Sequence, residues 1–214
     1  MAKVANDDLA REIAYVKTLA EEGRSAPLVG GVLYVIWGAV IGVAAFVTWL
    51  RAADLVPLPE FIGGAAFWAV AIALGWGLSF SLGPRIGAKP GALTIGNKTA
   101  MSAWLGVGVF LLIYWLALLA LHDNFTSDGV RPYALFSTMF PVAFGVYGIA
   151  FFATATAAQL DWMRGFAIAA WVFSVSSLYY FGDGRQLLVA AVGSLVCAVL
   201  PGLLLMRREP SEIV

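Results

Sequence analysis

The stretch from Asn6 to Leu50 reads NDDLAREIAYVKTLAEEGRSAPLVGGVLYVIWGAVIGVAAFVTWL, and its two halves decide the fold. The first half is a short charged helix. Asn6, Asp7 and Asp8 supply an N-cap and the acid that suits a helix start. Leu9, Ile13, Val16 and Ala20 then recur at i, i+4, i+7 and i+11, which puts them on one stripe. Arg11, Glu12, Lys17, Glu21 and Glu22 cover the remaining faces, and Gly23 and Pro27 end the helix. The second half, Leu28 to Leu50, contains no charged residue. At a rise of about 1.5 Å per residue it reaches about 34 Å, enough to cross a hydrocarbon core of about 30 Å.

The rest of the chain repeats the apolar half and never the charged half. Apolar runs follow at Phe61–Leu82, Ala100–Leu121, Tyr133–Ala158, Gly165–Phe181 and Leu187–Met206. Only 12% of the 214 residues are charged, and mean hydropathy is +0.87. A soluble domain carries about 25% charged residues, so water is not the main solvent of this chain. The pattern predicts an all-α membrane bundle of six transmembrane helices preceded by a short cytoplasmic amphipathic helix. The divisions are residues 1–27 for the helix and hinge, 28–206 for the spans and 207–214 for a hydrophilic tail. A cleavable leader is not expected, because the region before Leu28 is too long and too acidic.

Orientation follows from the basic residues. Ten of the thirteen Lys and Arg residues fall on one side of this topology: Lys3, Arg11, Lys17, Arg24, Arg85, Lys89, Lys98, Arg164, Arg207 and Arg208. Arg51, Arg131 and Arg185 fall on the other. The positive-inside rule puts both termini in the cytoplasm.

None of the six runs contains Asp, Glu, Lys, Arg or His. Ion-coupled carriers, proton relays and voltage sensors need such groups at membrane depth. The spans offer only Ser and Thr hydroxyls, and a serine without a base is a poor nucleophile. These hydroxyls are expected to bond backbone carbonyls and neighbouring helices. The single histidine, His122, and the single cysteine, Cys197, rule out a multi-histidine metal site and an intrachain disulfide. His122, Asp123 and Asp128 share one connector, which reads as a solvated loop. No enzyme activity, cofactor, metal or nucleic-acid partner is expected.

Four groups of residues carry binding expectations. The stripe Leu9, Ile13, Val16 and Ala20 suits a protein partner better than a lipid surface, because acids outnumber bases around it. Gly38 and Gly42 form a GxxxG pair for close helix packing, within the chain or in a homo-oligomer. Arg85, Lys89 and Lys98, in a connector without acid, are expected to contact anionic membrane lipids. Trp37, Trp68, Trp115 and Trp171 fall near mid-span and could line a site for an apolar ligand. Pro141 removes a donor from the fourth run and is expected to bend it.

The run Glu21 to Gly31, the triplet Ile36-Trp37-Gly38, the exit Leu82-Gly83-Pro84-Arg85, and Leu200-Pro201-Gly202-Leu203-Leu204 before Arg207 and Arg208 resemble a group of uncharacterised bacterial six-helix membrane proteins. The resemblance covers most of the chain. It implies a bacterial inner membrane, a cytoplasmic helix before the first span and a regulatory or accessory role, and it carries over no catalytic residue. The functional expectation is a non-catalytic accessory or scaffold protein that engages a partner through its N-terminal helix. The alternative is a carrier or binder of an apolar small molecule: a lipid, a quinone or a pigment.

Overall fold

A computed structural model describes residues 12–15, 27–127, 129 and 132–209. Apart from residues 12–15, which are helical, the elements are α1 (Gly31–Ala52), α2 (Ala65–Gly87), α3 (Ile95–Ala120), α4 (His122–Ser127), α5 (Pro132–Ser137), α6 (Met139–Ala157), α7 (Trp162–Tyr179), α8 (Arg185–Ser194), a π-helical turn (Leu195–Val199) and α9 (Leu200–Met206). Among the described residues there is no strand. Five helical stretches are long and apolar enough to cross a membrane: Gly31–Ala52, Ala65–Gly87, Ile95–Ala120, Ala134–Ala157 and Arg185–Met206. This is the architecture of a helical membrane protein.

At the centre, α1 lies against α8, the π turn and α9. Small residues make the approach close. A Cβ added at Gly38 would sit 2.8 Å from both the Ala198 Cβ and the Val199 backbone nitrogen. One added at Gly31 would meet the Gly202 carbonyl oxygen at 2.6 Å, and one at Gly42 the Ser194 Cβ at 3.3 Å. In lipid no hydrophobic effect drives helices together, so this backbone proximity, with its dispersion contacts, is what holds the pair. The GxxxG pair thus packs within the chain. The π turn has a local cause in Pro201, which cannot donate to the Cys197 carbonyl and whose ring crowds it; one extra residue in the turn relieves both.

The broadest helix contact joins α6 and α7. Ala155, Met163, Ala167 and Ala170 are fully buried along it. The Trp171 ring lies on Gly148, where a Cβ would clash with it, and its Nε1 donates to the Gly145 carbonyl at 3.2 Å. One turn along each helix, Ser174 Oγ donates to the Pro141 carbonyl at 2.7 Å. The hydroxyls that lower the hydropathy of α7 therefore include one spent on its neighbour.

The fourth run, as the stretch Ala134–Ala157, carries the disturbance expected from Pro141 in the form of a one-residue break. Instead of one bent helix there are two, α5 and α6, separated at Thr138. Pro141 is the cause: it lacks the N–H that would bond the Ser137 carbonyl four residues back. That carbonyl accepts instead from Gln186 Nε2 at 2.9 Å. The same nitrogen donates at 2.8 Å to the Ser177 carbonyl near the end of α7. Gln186 is completely buried and closes two backbone gaps at once.

By contrast, α2 and α3 are peripheral. The first packs on α1 and the second on α6, and they make almost no backbone contact with each other. Trp76 reaches across to Gly108, whose Cβ position lies 3.3 Å from its ring. Val70, Leu74, Leu105 and Ile113 point outward, an arrangement that suits hydrocarbon rather than water.

Candidate functional site

The most tightly connected polar cluster sits where α1 begins and α9 ends. Residues 27–30 enter α1 without regular structure, yet Leu28 and Val29 are buried. One side chain holds them. Asn97 Oδ1 accepts from Val29 N at 2.9 Å, while Asn97 Nδ2 donates to the Pro27 and Gly91 carbonyls at 3.0 Å each. The side-chain amide thus acts as an extra peptide unit bridging the entry segment and the loop before α3. Thr94 caps α3 by accepting from Asn97 N at 3.4 Å, which fixes the turn from which Asn97 projects.

The chain's far end closes the same cluster. Glu209 Oε1 accepts from Gly31 N, the first amide of α1, at 2.6 Å. Its other oxygen pairs with Lys89 Nζ. The Glu209 side chain is only 4% exposed, so this carboxylate is held by a helix N-terminus and an ammonium together. Next to it, the Arg208 guanidinium lies 5.3 Å from the centre of the Trp162 ring at the start of α7. Arg208 and Glu209 therefore tie α1, the 88–94 loop and α7 into one face.

The residues singled out from sequence are distributed as follows. Of the partner stripe, Leu9, Val16 and Ala20 lie outside the described residues; Ile13 is helical and 60% exposed. Of the three basic residues, Lys89 is engaged by Glu209 rather than free for lipid. Arg85 and Lys98 are exposed, and neither makes an ion pair among the described residues. Three of the four tryptophans occupy separate seams. Trp37 lies on Gly75 and donates to Ser79 Oγ at 3.0 Å, joining α1 to α2. Trp68 meets Phe140 edge-on at 5.9 Å, and Trp171 joins α7 to α6. Trp115 is half-buried on α3. His122 Nδ1 lies 3.1 Å from Asp123 Oδ1 on an exposed turn, and Asp128 lies outside the described residues.

Two open clefts are present. One, of about 530 Å³, lies at the opposite end of the bundle among Thr48, Arg51, Asp54, Glu60 and Leu187. Arg51 is already used there, donating to the Ile62 carbonyl at 2.6 Å. The other, of about 370 Å³, opens between α2 and α3 beside Lys98. None of the four tryptophans lines either cleft, so the two features do not combine into one apolar chamber.

Sequence reasoning missed Asn97, Glu209 and Gln186. Asn97 carried a usable signal, an amide three residues after a Thr N-cap at the mouth of an apolar run. Gln186 has no signal of its own next to Arg185, and its role depends on Pro141, in another helix, lacking the N–H of an i→i−4 bond. Glu209 had no local signal at all, since its partners stand 120 and 178 residues away. No family model, curated protein or solved structure matches this chain, so its functional assignment comes from its own residues.

Proposed function

We propose that this chain is a non-catalytic scaffold of the bacterial inner membrane, with six spans and both termini in the cytoplasm, that engages a protein partner through its N-terminal helix. The observation that carries the reading is the double clamp on residues 27–31, at the entry to the first span. Asn97 holds Pro27 and Val29, and Glu209 holds Gly31. A fixed entry to the first span gives a partner bound upstream of it a defined anchor on the bundle.

The same clamp supports an even number of crossings. Glu209 follows the last helix and Gly31 opens the first, and they are in hydrogen-bond contact, so the bundle starts and finishes on one face. With five stretches already long and apolar enough, α7 supplies the sixth. Its 18 residues reach about 27 Å at about 1.5 Å per residue. Its hydropathy is lowered by Arg164 at one end and by serines turned toward the protein. Lys89, Lys98, Arg207 and Arg208 gather on the clamped face, and the positive-inside rule assigns that face to the cytoplasm.

Photo-crosslinking tests the reading. A crosslinker placed in turn at Leu9, Ile13 and Val16 should give one protein adduct, and the same probe at Glu12 should give little. Equal labelling at all four positions, or an unchanged set of bound proteins after deletion of residues 1–22, would overturn it.

A further inference from the structure

We infer that the cleft between α2 and α3 holds one anionic phospholipid, with its phosphate at Lys98 and Ser102 and the start of an acyl chain along Val29, Ile86 and Met101. This is independent of the partner-binding role of the N-terminal helix. It also narrows the sequence expectation of diffuse lipid contact through the basic connector to one defined place.

The walls make the case for an amphiphile. The cleft has a volume of about 370 Å³, within the range of small-ligand sites. Its base is apolar, formed by the buried Val29 and Ile86, and Met101 forms an exposed apolar flank. At its mouth the loop presents Leu93, 75% exposed, with Ile95 beside it at 83%. Bulky aliphatic groups so exposed beside a lysine belong at a membrane interface, where the loop dips among headgroups.

The polar groups make the case for an anion. Lys98 and Ser102 stand four residues apart on α3 and so share a face of its first two turns. Lys98 has no ionic partner among the described residues, whereas nearby Lys89 is neutralised by Glu209. Ser102 lines the cleft beside Lys98. Thr48, Ser79 and Ser194 each return their hydroxyl to the carbonyl four residues back. Ser102 makes no such bond among the described residues, so its hydroxyl is open to the cleft. One ammonium and one hydroxyl on a common face, above an apolar floor at the membrane edge, match a phosphate ester with acyl chains. A free phosphate would leave the floor bare, and a neutral lipid would leave the ammonium uncompensated.

Native mass spectrometry of the purified full chain tests this, with phosphatidylglycerol and phosphatidylcholine as probes. The wild-type chain should retain one phosphatidylglycerol in preference to phosphatidylcholine by about fivefold, the effect of one lysine near an anionic headgroup. Lys98→Gln should abolish the preference, while Arg207→Gln, on an exposed residue outside the cleft, should keep it. Met101→Trp should crowd the cleft from its flank and reduce retention of both lipids without altering charge. Equal retention of the two lipids by the wild-type chain would overturn the proposal, as would an unchanged preference in Lys98→Gln. Loss of the bound lipid to millimolar inorganic phosphate would assign the groups to the free ion and also overturn it.

Discussion

Replacing Gln186 by Leu should destabilise the protein because of Pro141, a residue in another helix. Gln186 Nε2 donates to the Ser137 carbonyl at 2.9 Å and to the Ser177 carbonyl at 2.8 Å, in a place with no access to water. Leu preserves volume and removes both bonds. A buried acceptor left without a partner costs about 1–3 kcal/mol. Intramembrane side-chain bonds lie at the low end, averaging about 0.6 kcal/mol. Two acceptors lost together should then cost about 2 kcal/mol. Gln186 Oε1 and Ser177 Oγ lack partners in the same pocket, and Leu also removes the first of these, which keeps the loss from being larger.

The instructive measurement is the double-mutant cycle. Pro141→Ala supplies the N–H that the Ser137 carbonyl lacks, in the direction of an ordinary i→i−4 helix bond. In that background Gln186→Leu orphans only the Ser177 carbonyl. Its cost should fall to about 1 kcal/mol, a coupling of about 1 kcal/mol between residues 45 positions apart in sequence. Equilibrium unfolding in mixed detergent micelles, followed by tryptophan fluorescence, measures all four corners. If Gln186→Leu costs the same in both backgrounds, to within about 0.3 kcal/mol, then Gln186 is not compensating for Pro141 and the account of the broken fourth span fails.

Three further outcomes follow from the same contacts. Gly38→Val should separate α1 from α9 and the π turn and lower Tm, whereas Gly77→Val, with open space at its Cβ position, should leave Tm nearly unchanged. Asn97→Ala should cost about 1–3 kcal/mol and raise hydrogen exchange at the Val29 amide by tenfold or more, since it removes that amide's acceptor. Asp183, bonded by the Arg185 side chain and backbone, is held down to about 2 from an ordinary 3.8. A depressed carboxylate contributes its stability above the unfolded value and loses it as pH falls through the folded one. Carbon-detected titration should therefore find Asp183 ionised down to about pH 2 and returned toward the ordinary value in Arg185→Gln.

The apolar helices were legible because each is continuous and uncharged, and length alone identifies them. Gly38 and Gly42 were legible as a packing pair because lipid leaves helices few other ways to associate. The break at Thr138 was half legible: Pro141 announced a disturbance, but its form depended on Gln186 arriving from another helix. The sequence expected Lys89 to face lipid because the connector around it holds no acid, yet its partner is Glu209, 120 residues on. The boundary of α7 moved too. The apolar run starts at Gly165, but the helix starts at Trp162 and takes in Arg164, whose guanidinium lies 3.1 Å from Asp161. Pairing lets a charge stand in the first turn of a helix that hydropathy alone would begin later.

What links these cases is where the polar groups of the interior are directed. Gln186 and Ser174 donate to backbone carbonyls, and Asn97 does so while also accepting an amide. A transporter or an intramembrane enzyme aims comparable groups at a cavity, leaving their bonds to be completed by a substrate. In this chain the donors of Gln186 and Ser174 are met by backbone carbonyls, and Asn97 and Glu209 make their bonds at the entry to α1. Two of these side chains, Asn97 and Glu209, are spent on fixing residues 27–31 at the entry to the first span. Under the proposed partner role, Asn97→Ala should therefore weaken crosslinking from Ile13 with every residue of the partner stripe intact, and unchanged crosslinking would count against that role.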